Sequence, residues 1–393
     1  MAYAHHPWDE PQWMNRQHLL SRLGKRGWPV LYNNGALNIW HRNTQTWKCS
    51  SLFGETTQSD HVLLFNSGKI IPRWETSRLI DTLAIRAHNH QLRRTIGIIE
   101  KKSPYICMCF NPIFWPYVKL LNPPFLAFHA YDNYSRQPGW TIERENHLEQ
   151  LTSHANLITA SSEAIAHALP GKGPKKAKTL ENGVDLGLFL QKELVCPADI
   201  KSIPHPRIIY TGTINRKVDI PLVVSIAKQK LEWHWVFVGR LELGELQEDD
   251  YFSKALEEIN DLENIHFLGE KNKNEIPSYL LNVDVTTMCY RSDGDGWWLD
   301  ISPLKLHEYL ATGKPVIGAP LPSITKYSDV IDIAQSREEW ICSLERAIHQ
   351  GGLSTPDNRI NVAQLNSWES RVDKLEQWLY ELTATIPTPK IKE

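Results

Sequence analysis

The feature that most restricts this chain is an alternation of short apolar runs with helix-like segments, which recurs in both halves and is interrupted once by a proline-rich stretch. That alternation is the pattern of parallel sheets covered by helices. In the first half, residues 17–25 carry Leu19, Leu20 and Leu23 at helical spacing and Gly27 ends the helix, after which residues 28–32, 61–65, 105–110, 126–131 and 155–160 read as strands. The segment before His5 is too short for a full first strand, so a truncated strand is expected at the edge or centre of the first sheet. Beyond Asn182, Pro197, Pro204 and Pro206 break any regular element, which marks the expected linker.

A second alternating unit then begins, with strands expected at 207–210, 235–238, 265–268, 283–288 and 315–317 and helices at 221–230, 251–260, 275–281 and 303–312. The expected fold is α/β, with two doubly wound Rossmann-like domains facing a central cleft and a ligand lying outside the carboxyl ends of both sheets. The expected domains are residues 1–195 and 196–366. Residues 367–393 hold a final helix, with Trp368, Val372, Leu375, Trp378, Leu379 and Leu382 on one face, and a polar tail, and are expected to dock back on the first domain.

Composition removes several classes of function. Lys and Arg number 43 against 45 Asp and Glu, so the bulk positive charge of a nucleic-acid binder is missing and any phosphate must be held locally. Six scattered cysteines without a CxxC pair read as reduced thiols. The first residues have neither a basic nor an apolar leader-like region, and the greasiest stretch, 105–128, is interrupted by Asn111, Pro112, Pro116, Lys119 and Asn122. A cytoplasmic protein is expected, and the fifteen tryptophans leave peripheral membrane contact open although buried packing accounts for most of them equally well.

The most informative segment runs from Asp300 to Val316. Ser302 is a favoured N-cap, Pro303 suits the first helical position, Gly313 is a stop and Pro315 prevents continuation. Such a helix start offers unpaired N–H groups to a diphosphate, Lys305 adds a full charge, and Glu308, one turn on, can accept hydrogen bonds from ribose hydroxyls.

Asp300 and Glu308 enclose seven residues, and with Glu308-Tyr-Leu-Ala-Thr-Gly-Lys-Pro-Val they resemble the acidic E-x7-E signature of GT-B glycosyltransferases related to family 4. Asp replaces the first Glu and SPLK follows it, which is more similar to the branch of teichuronic-acid and xanthan glucuronosyltransferases. Glu181-Asn182-Gly-Val-Asp185, Tyr210-Thr-Gly-Thr-Ile-Asn-Arg-Lys217, Val238-Gly-Arg240 and Phe267-Leu268-Gly-Glu270 resemble further landmarks of the family in the right order. The resemblance implies an acceptor-binding first domain and a sugar-nucleotide-binding second domain. The donor set it implies is Gly212, Arg216, Lys217, Arg240, Leu268, Tyr290, Asp300, Ser302, Pro303, Leu304, Lys305 and Glu308, with Asn182 accessory. Gly212 permits close approach of a strand-end loop, and Arg216 and Lys217 offer cations to phosphate oxygens.

In the first half, Leu126-Ala-Phe-His-Ala-Tyr-Asp132-Asn-Tyr-Ser ends a predicted strand and resembles the family segment that carries the catalytic base, which falls on Asp132. An Asx-type turn is the competing role for Asp132. His129 on the strand reads more readily as structural than catalytic, and Arg16 stands where the family often has an arginine before its first helix, with a phosphate or acceptor contact and a surface position equally open.

The reaction expected is transfer of a sugar from a nucleoside-diphosphate sugar, UDP favoured over GDP, to a glycan or lipid-linked hydroxyl in bacterial polysaccharide synthesis, without cofactor or metal. A single Asp base points to inversion, whereas family 4 in the strict sense retains. Asp293-Gly-Asp295-Gly296 is read as a mobile loop, with Trp297 and Trp298 closing over the donor, in preference to a metal-binding pair. A sugar-nucleotide epimerase and a catalytically silent sugar-nucleotide binder are the alternatives.

Overall fold

Eight strands form the first sheet: β1 (Ala2–Tyr3), β2 (Val30–Asn33), β3 (Glu55–Ser59), β4 (Val62–Asn66), β5 (Ile106–Cys109), β6 (Phe125–Ala130), β7 (Leu157–Ala160) and β8 (Lys178–Thr179). In this computed structural model, which describes residues 1–10, 13–99, 105–170, 177–191, 194–242, 250–294 and 296–384, their order is β3-β4-β2-β1-β5-β6-β7-β8. All neighbours are parallel except the antiparallel pair β3 and β4. The strand expected to be truncated is β1, two residues at the centre of the sheet between β2 and β5. β6 is buried at every position, so it reads as a continuous apolar run, as a strand covered on both faces must. β3 is the opposite case. Its Glu-Thr-Thr-Gln-Ser sequence is polar and solvent-facing at the sheet edge, and offers no apolar pattern to read.

The second sheet has β9 (Arg207–Thr211), β10 (His234–Val238), β11 (Ile265–Phe267), β12 (Val285–Met288), β13 (Val316–Gly318) and β14 (Asp332–Ile333). All pairs are parallel, in the order β11-β10-β9-β12-β13-β14. The order reverses between β9 and β12, which makes the carboxyl ends of these two strands the topological switch point.

The chain divides into Met1–Glu181 with Arg371–Glu393, and Asn182–Ser370. The boundary therefore lies earlier than the expected 195/196, and the proline-rich stretch is not a linker. Val184, Phe189, Ile200 and Ile203 are buried in the core of the second unit, and Val184 bridges Ser367. Proline breaks regular elements without preventing burial, and that is why the stretch looked like a connection. The helix Trp368–Ala384 carries the chain back to the first unit, where Trp28 Nε1 donates to Glu376 at 2.7 Å and Arg26 pairs with Asp373 and Glu376. The polar tail lies outside the described residues. No helix among the described residues is long and apolar enough to cross a membrane.

Candidate functional site

At the carboxyl ends of β9, β10 and β11 the backbone turns through Gly212, Gly239 and Gly269, all at positive φ. The three turns are stitched together: Gly212 N–H donates to the Val238 carbonyl at 2.8 Å and Gly239 N–H to the Gly269 carbonyl at 2.9 Å. A Cβ at Gly239 would collide with the Gly212 carbonyl oxygen, so close approach of two backbones requires glycine there. Leu268 N–H donates to the Phe237 carbonyl at 2.9 Å and extends the ladder to the strand end.

The helix Lys305–Ala311 sits over the switch point. It begins two residues later than the caps suggest: Pro303 and Leu304 precede the helix, and Leu304, whose side chain makes no cap hydrogen bond, occupies the cap position. The Ser302 carbonyl is used differently, accepting a 2.6 Å bond from Asn182 Nδ2. The helix is clamped to β9 by Tyr309, whose hydroxyl accepts from Thr211 N–H at 2.8 Å. Its other end turns at Gly313 (φ +71), and the buried Arg359 donates to the Gly313 carbonyl at 2.9 Å, a cation where the helix dipole is negative.

Lys305 is only 9% exposed. Its ammonium lies 3.6 Å from the Tyr210 ring centroid and 5.3 Å from that of Tyr290. A Cβ built on Gly212 would stand 3.0 Å from Lys305 Nζ, so the absence of a side chain at 212 keeps the ammonium uncovered. Among the described residues it has neither a hydrogen bond nor an ion pair. Burial, then the nearby Lys217 charge, lowers its pKa well below the usual value for lysine. An ammonium kept here is stabilised by two aromatic faces and lacks an anion.

Glu308 is half-buried, and its carboxylate has no hydrogen-bond partner among the described residues. Burial pushes its pKa up to about 7, against the opposing charges of Lys273 and Lys305. Arg216 is exposed over the Trp298 ring at 5.7 Å, and Lys217 lies 5.7 Å from the Trp297 ring. Trp298 is not part of a free flap: it is buried and donates from Nε1 to the Arg291 carbonyl at 2.9 Å. Arg240 is exposed and paired with Glu242, so of the proposed cations it is already engaged. Asp300 ends a 3-10 turn, Trp297–Asp300, and is half-buried. Asp295 lies outside the described residues, and among those described no group of three or more His, Cys, Asp or Glu is placed to hold a metal.

In the first unit Asp132 follows β6, and its Oδ2 accepts a 2.6 Å bond from Gln137 Nε2. His129 is fully buried between Asn15 Nδ2 at 3.2 Å and Thr159 Oγ1 at 2.9 Å, and burial lowers its pKa to about 3. It is a neutral structural histidine. Arg16 lies inside the first turn of the helix Asn15–Lys25, not before it, and is 1% exposed. It pairs with Glu10 at 3.2 Å, while its Nε has no hydrogen-bond partner among the described residues.

The sequence reading missed Tyr210 as a member of the site, along with Tyr309 and Lys273. Tyr210 stands two residues before Gly212 near the end of β9, and strand-end position was the available signal; Lys273 opens the short 3-10 turn Lys273–Glu275, and nothing in its sequence neighbourhood ties it to Glu308.

Residues 201–328 match the family profile described as Glycosyl transferases group 1. Over 231 residues the chain is 29% identical to TuaH of Bacillus subtilis (strain 168), a protein named as a glycosyltransferase of teichuronic acid biosynthesis. That match takes in 56% of this chain and 55% of the relative, so it spans about half the relative's length. Among solved structures, sucrose-phosphate synthase from Thermosynechococcus elongatus superimposes with a TM-score of 0.67 at 14% identity, covering 94% of this chain and 93% of that one. HepE of Anabaena, solved in complex with UDP and glucose, gives 0.66 at 16% identity over 97% and 98% of the two chains. The structural likeness establishes the GT-B fold.

Proposed function

We propose that this chain, a GT-B glycosyltransferase related to the teichuronic-acid branch and carrying the group 1 domain in its second unit, transfers a sugar from a nucleoside-diphosphate sugar to a hydroxyl of a glycan or lipid-linked acceptor in bacterial polysaccharide synthesis. The observation that supports this reading most is the buried, anion-less Lys305 at the switch point, uncovered by Gly212, with the Glu308 carboxylate one turn away. A diphosphate supplies the missing negative charge, and ribose hydroxyls supply donors to Glu308. Arg216 and Lys217 add positive field, so the diphosphate leaving group is neutralised by side chains and no metal or cofactor is required. UDP is the favoured nucleotide, in keeping with the UDP present in the HepE structure.

In the proposed step the Asp132 carboxylate takes the acceptor proton as the acceptor oxygen bonds to the anomeric carbon. The bond from that carbon to the diphosphate oxygen breaks, and the nucleoside diphosphate leaves with the electron pair. Gln137 holds the carboxylate through Oδ2. A cytoplasmic setting belongs to the same reading, supported by six free thiols, of which Cys107, Cys109 and Cys289 are buried.

A panel of nucleotide sugars screened by thermal shift tests the reading. The cognate donor at 100 times its dissociation constant should stabilise the protein by about 2.7 kcal/mol. With acceptor present, free nucleoside diphosphate and a glycosylated product support transfer. An isomerised nucleotide sugar, or binding with neither product, favours the epimerase or the silent binder.

A further inference from the structure

Of the fifteen large apolar side chains exposed among the described residues, nine fall between Trp40 and Leu83. They occupy two segments, 38–54 and 67–86, which the fold joins into one surface. Ile39 N–H donates to the Arg73 carbonyl at 3.1 Å and Arg73 N–H to the Leu37 carbonyl at 2.7 Å. Lys69 N–H donates to the Ser51 carbonyl at 3.1 Å, and the Trp40 and Trp74 rings stand 6.3 Å apart. A Cβ at Gly68 would strike the Leu52 carbonyl oxygen, so the segments touch backbone to backbone. Leu79 and Leu83, 73% and 49% exposed, continue the apolar surface along one face of the helix Arg78–Ile99.

The charge on this surface is one-sided. These two segments contain Arg42, Lys48, Lys69, Arg73, Arg78 and Arg86 against Glu75 and Asp81 alone, in a chain whose formal net charge is -2. Arg73 and Asp81 neutralise each other at 2.7 Å. Lysines interleaved with exposed Trp, Phe and Leu are unlike the core of a protein–protein interface, where Lys is depleted. They match a lipid headgroup region, where aromatic and aliphatic side chains enter the acyl boundary and cations meet anionic lipid.

We propose that this surface docks the first unit on an anionic membrane, with Trp40, Leu52, Phe53, Trp74 and Leu79 entering the interface and Arg42, Lys48 and Lys69 holding the headgroups. The proposal does not depend on the donor site in the second unit.

Co-sedimentation of the full chain with vesicles of phosphatidylglycerol mixed with phosphatidylcholine tests it, in the absence of nucleotide. Wild type should bind the mixed vesicles, bind phosphatidylcholine alone far more weakly, and release as salt is raised. Leu52→Ser with Phe53→Ser should lower partitioning roughly 10- to 100-fold, from the apolar area withdrawn. Arg42→Glu with Lys69→Glu should lower it at least about 10-fold at low salt. Val195→Ser, exposed elsewhere on the chain, should change nothing. Arg42, Leu52, Phe53 and Val195 are exposed and Lys69 is half-buried with its ammonium donating to the Lys48 carbonyl, and an unchanged melting temperature confirms folding. Failure of wild type to bind, or equal binding by all variants, overturns the proposal. So does concentration-dependent self-association, seen by sedimentation velocity without vesicles, that the same substitutions abolish, because the surface would then serve a second copy.

Discussion

Two buried cations separate the halves of the molecule. Arg16 in the first unit is closed in the first turn of a helix and has a carboxylate partner, Glu10. Lys305 in the second unit is nearly as enclosed, but its ammonium faces two aromatic rings and an open glycine and has no ion pair among the described residues. A buried cation met by a carboxylate, or by carbonyls as Arg359 is, is already compensated by the protein, whereas one that faces only π-electrons leaves room for an anionic ligand. On that contrast the proposed function assigns donor binding to the second unit and leaves the proton acceptor to the first.

The largest effect expected is on turnover. Asp132→Asn retains an acceptor for Gln137 but not a base, and should lower turnover by roughly 10² to 10⁴ with nucleotide affinity unchanged. A parallel fall in melting temperature would support the turn-forming role instead. His129→Gln, at a buried neutral site, should cost stability and spare most of the turnover.

Next comes the glycine that lets two strand ends meet. Gly239→Ala forces a Cβ onto the Gly212 carbonyl at a φ of +153°, and should destabilise the second unit by about 1–3 kcal/mol in denaturant titration. No loss would show that the strand ends can separate.

Glu308 supplies a pH test. Its folded pKa is raised from 4.5 to about 7, so the folded state holds the proton longer than the unfolded state. Stability from this group is therefore present at low pH and declines as pH rises from about 4.5 to 7. Nucleoside binding should run the other way, because ribose hydroxyls favour the ionised carboxylate. Affinity should rise roughly 10-fold between pH 5 and 8, and the rise should vanish in Glu308→Gln. The smallest effect is expected from chelator, which should leave binding and turnover intact. Loss of activity restored by manganese or magnesium would instead support a metal role for Asp293 and Asp295.

The second unit was the more legible half. Its strands are buried on both faces and its helices carry apolar stripes, so residues 207–210 and 235–238 were read within a residue of β9 and β10. The Asp300–Val316 segment pointed to the helix of the candidate site, but its cap signals put the helix start two residues early, and the Ser302 carbonyl is held by Asn182 from a distant segment. Long-range contacts of this kind leave no local trace. The first unit hid more: β3 is polar, β1 has two residues, and the 22-residue helix Arg78–Ile99 mixes cations with apolar residues on exposed faces. Arg16 appeared equally suited to the surface because an arginine gives no sign in sequence of the carboxylate that lets it be buried.

The donor assignment is tested most directly by comparing UDP with uridine in wild type and Lys305→Met by calorimetry. Methionine fills the space beside Tyr210 without a charge, so the folded protein should be as stable as wild type or more so. The account predicts that wild type prefers UDP to uridine, that the preference falls at least about 10-fold in Lys305→Met, and that uridine affinity is retained. An unchanged preference for UDP in a folded Lys305→Met protein would contradict it.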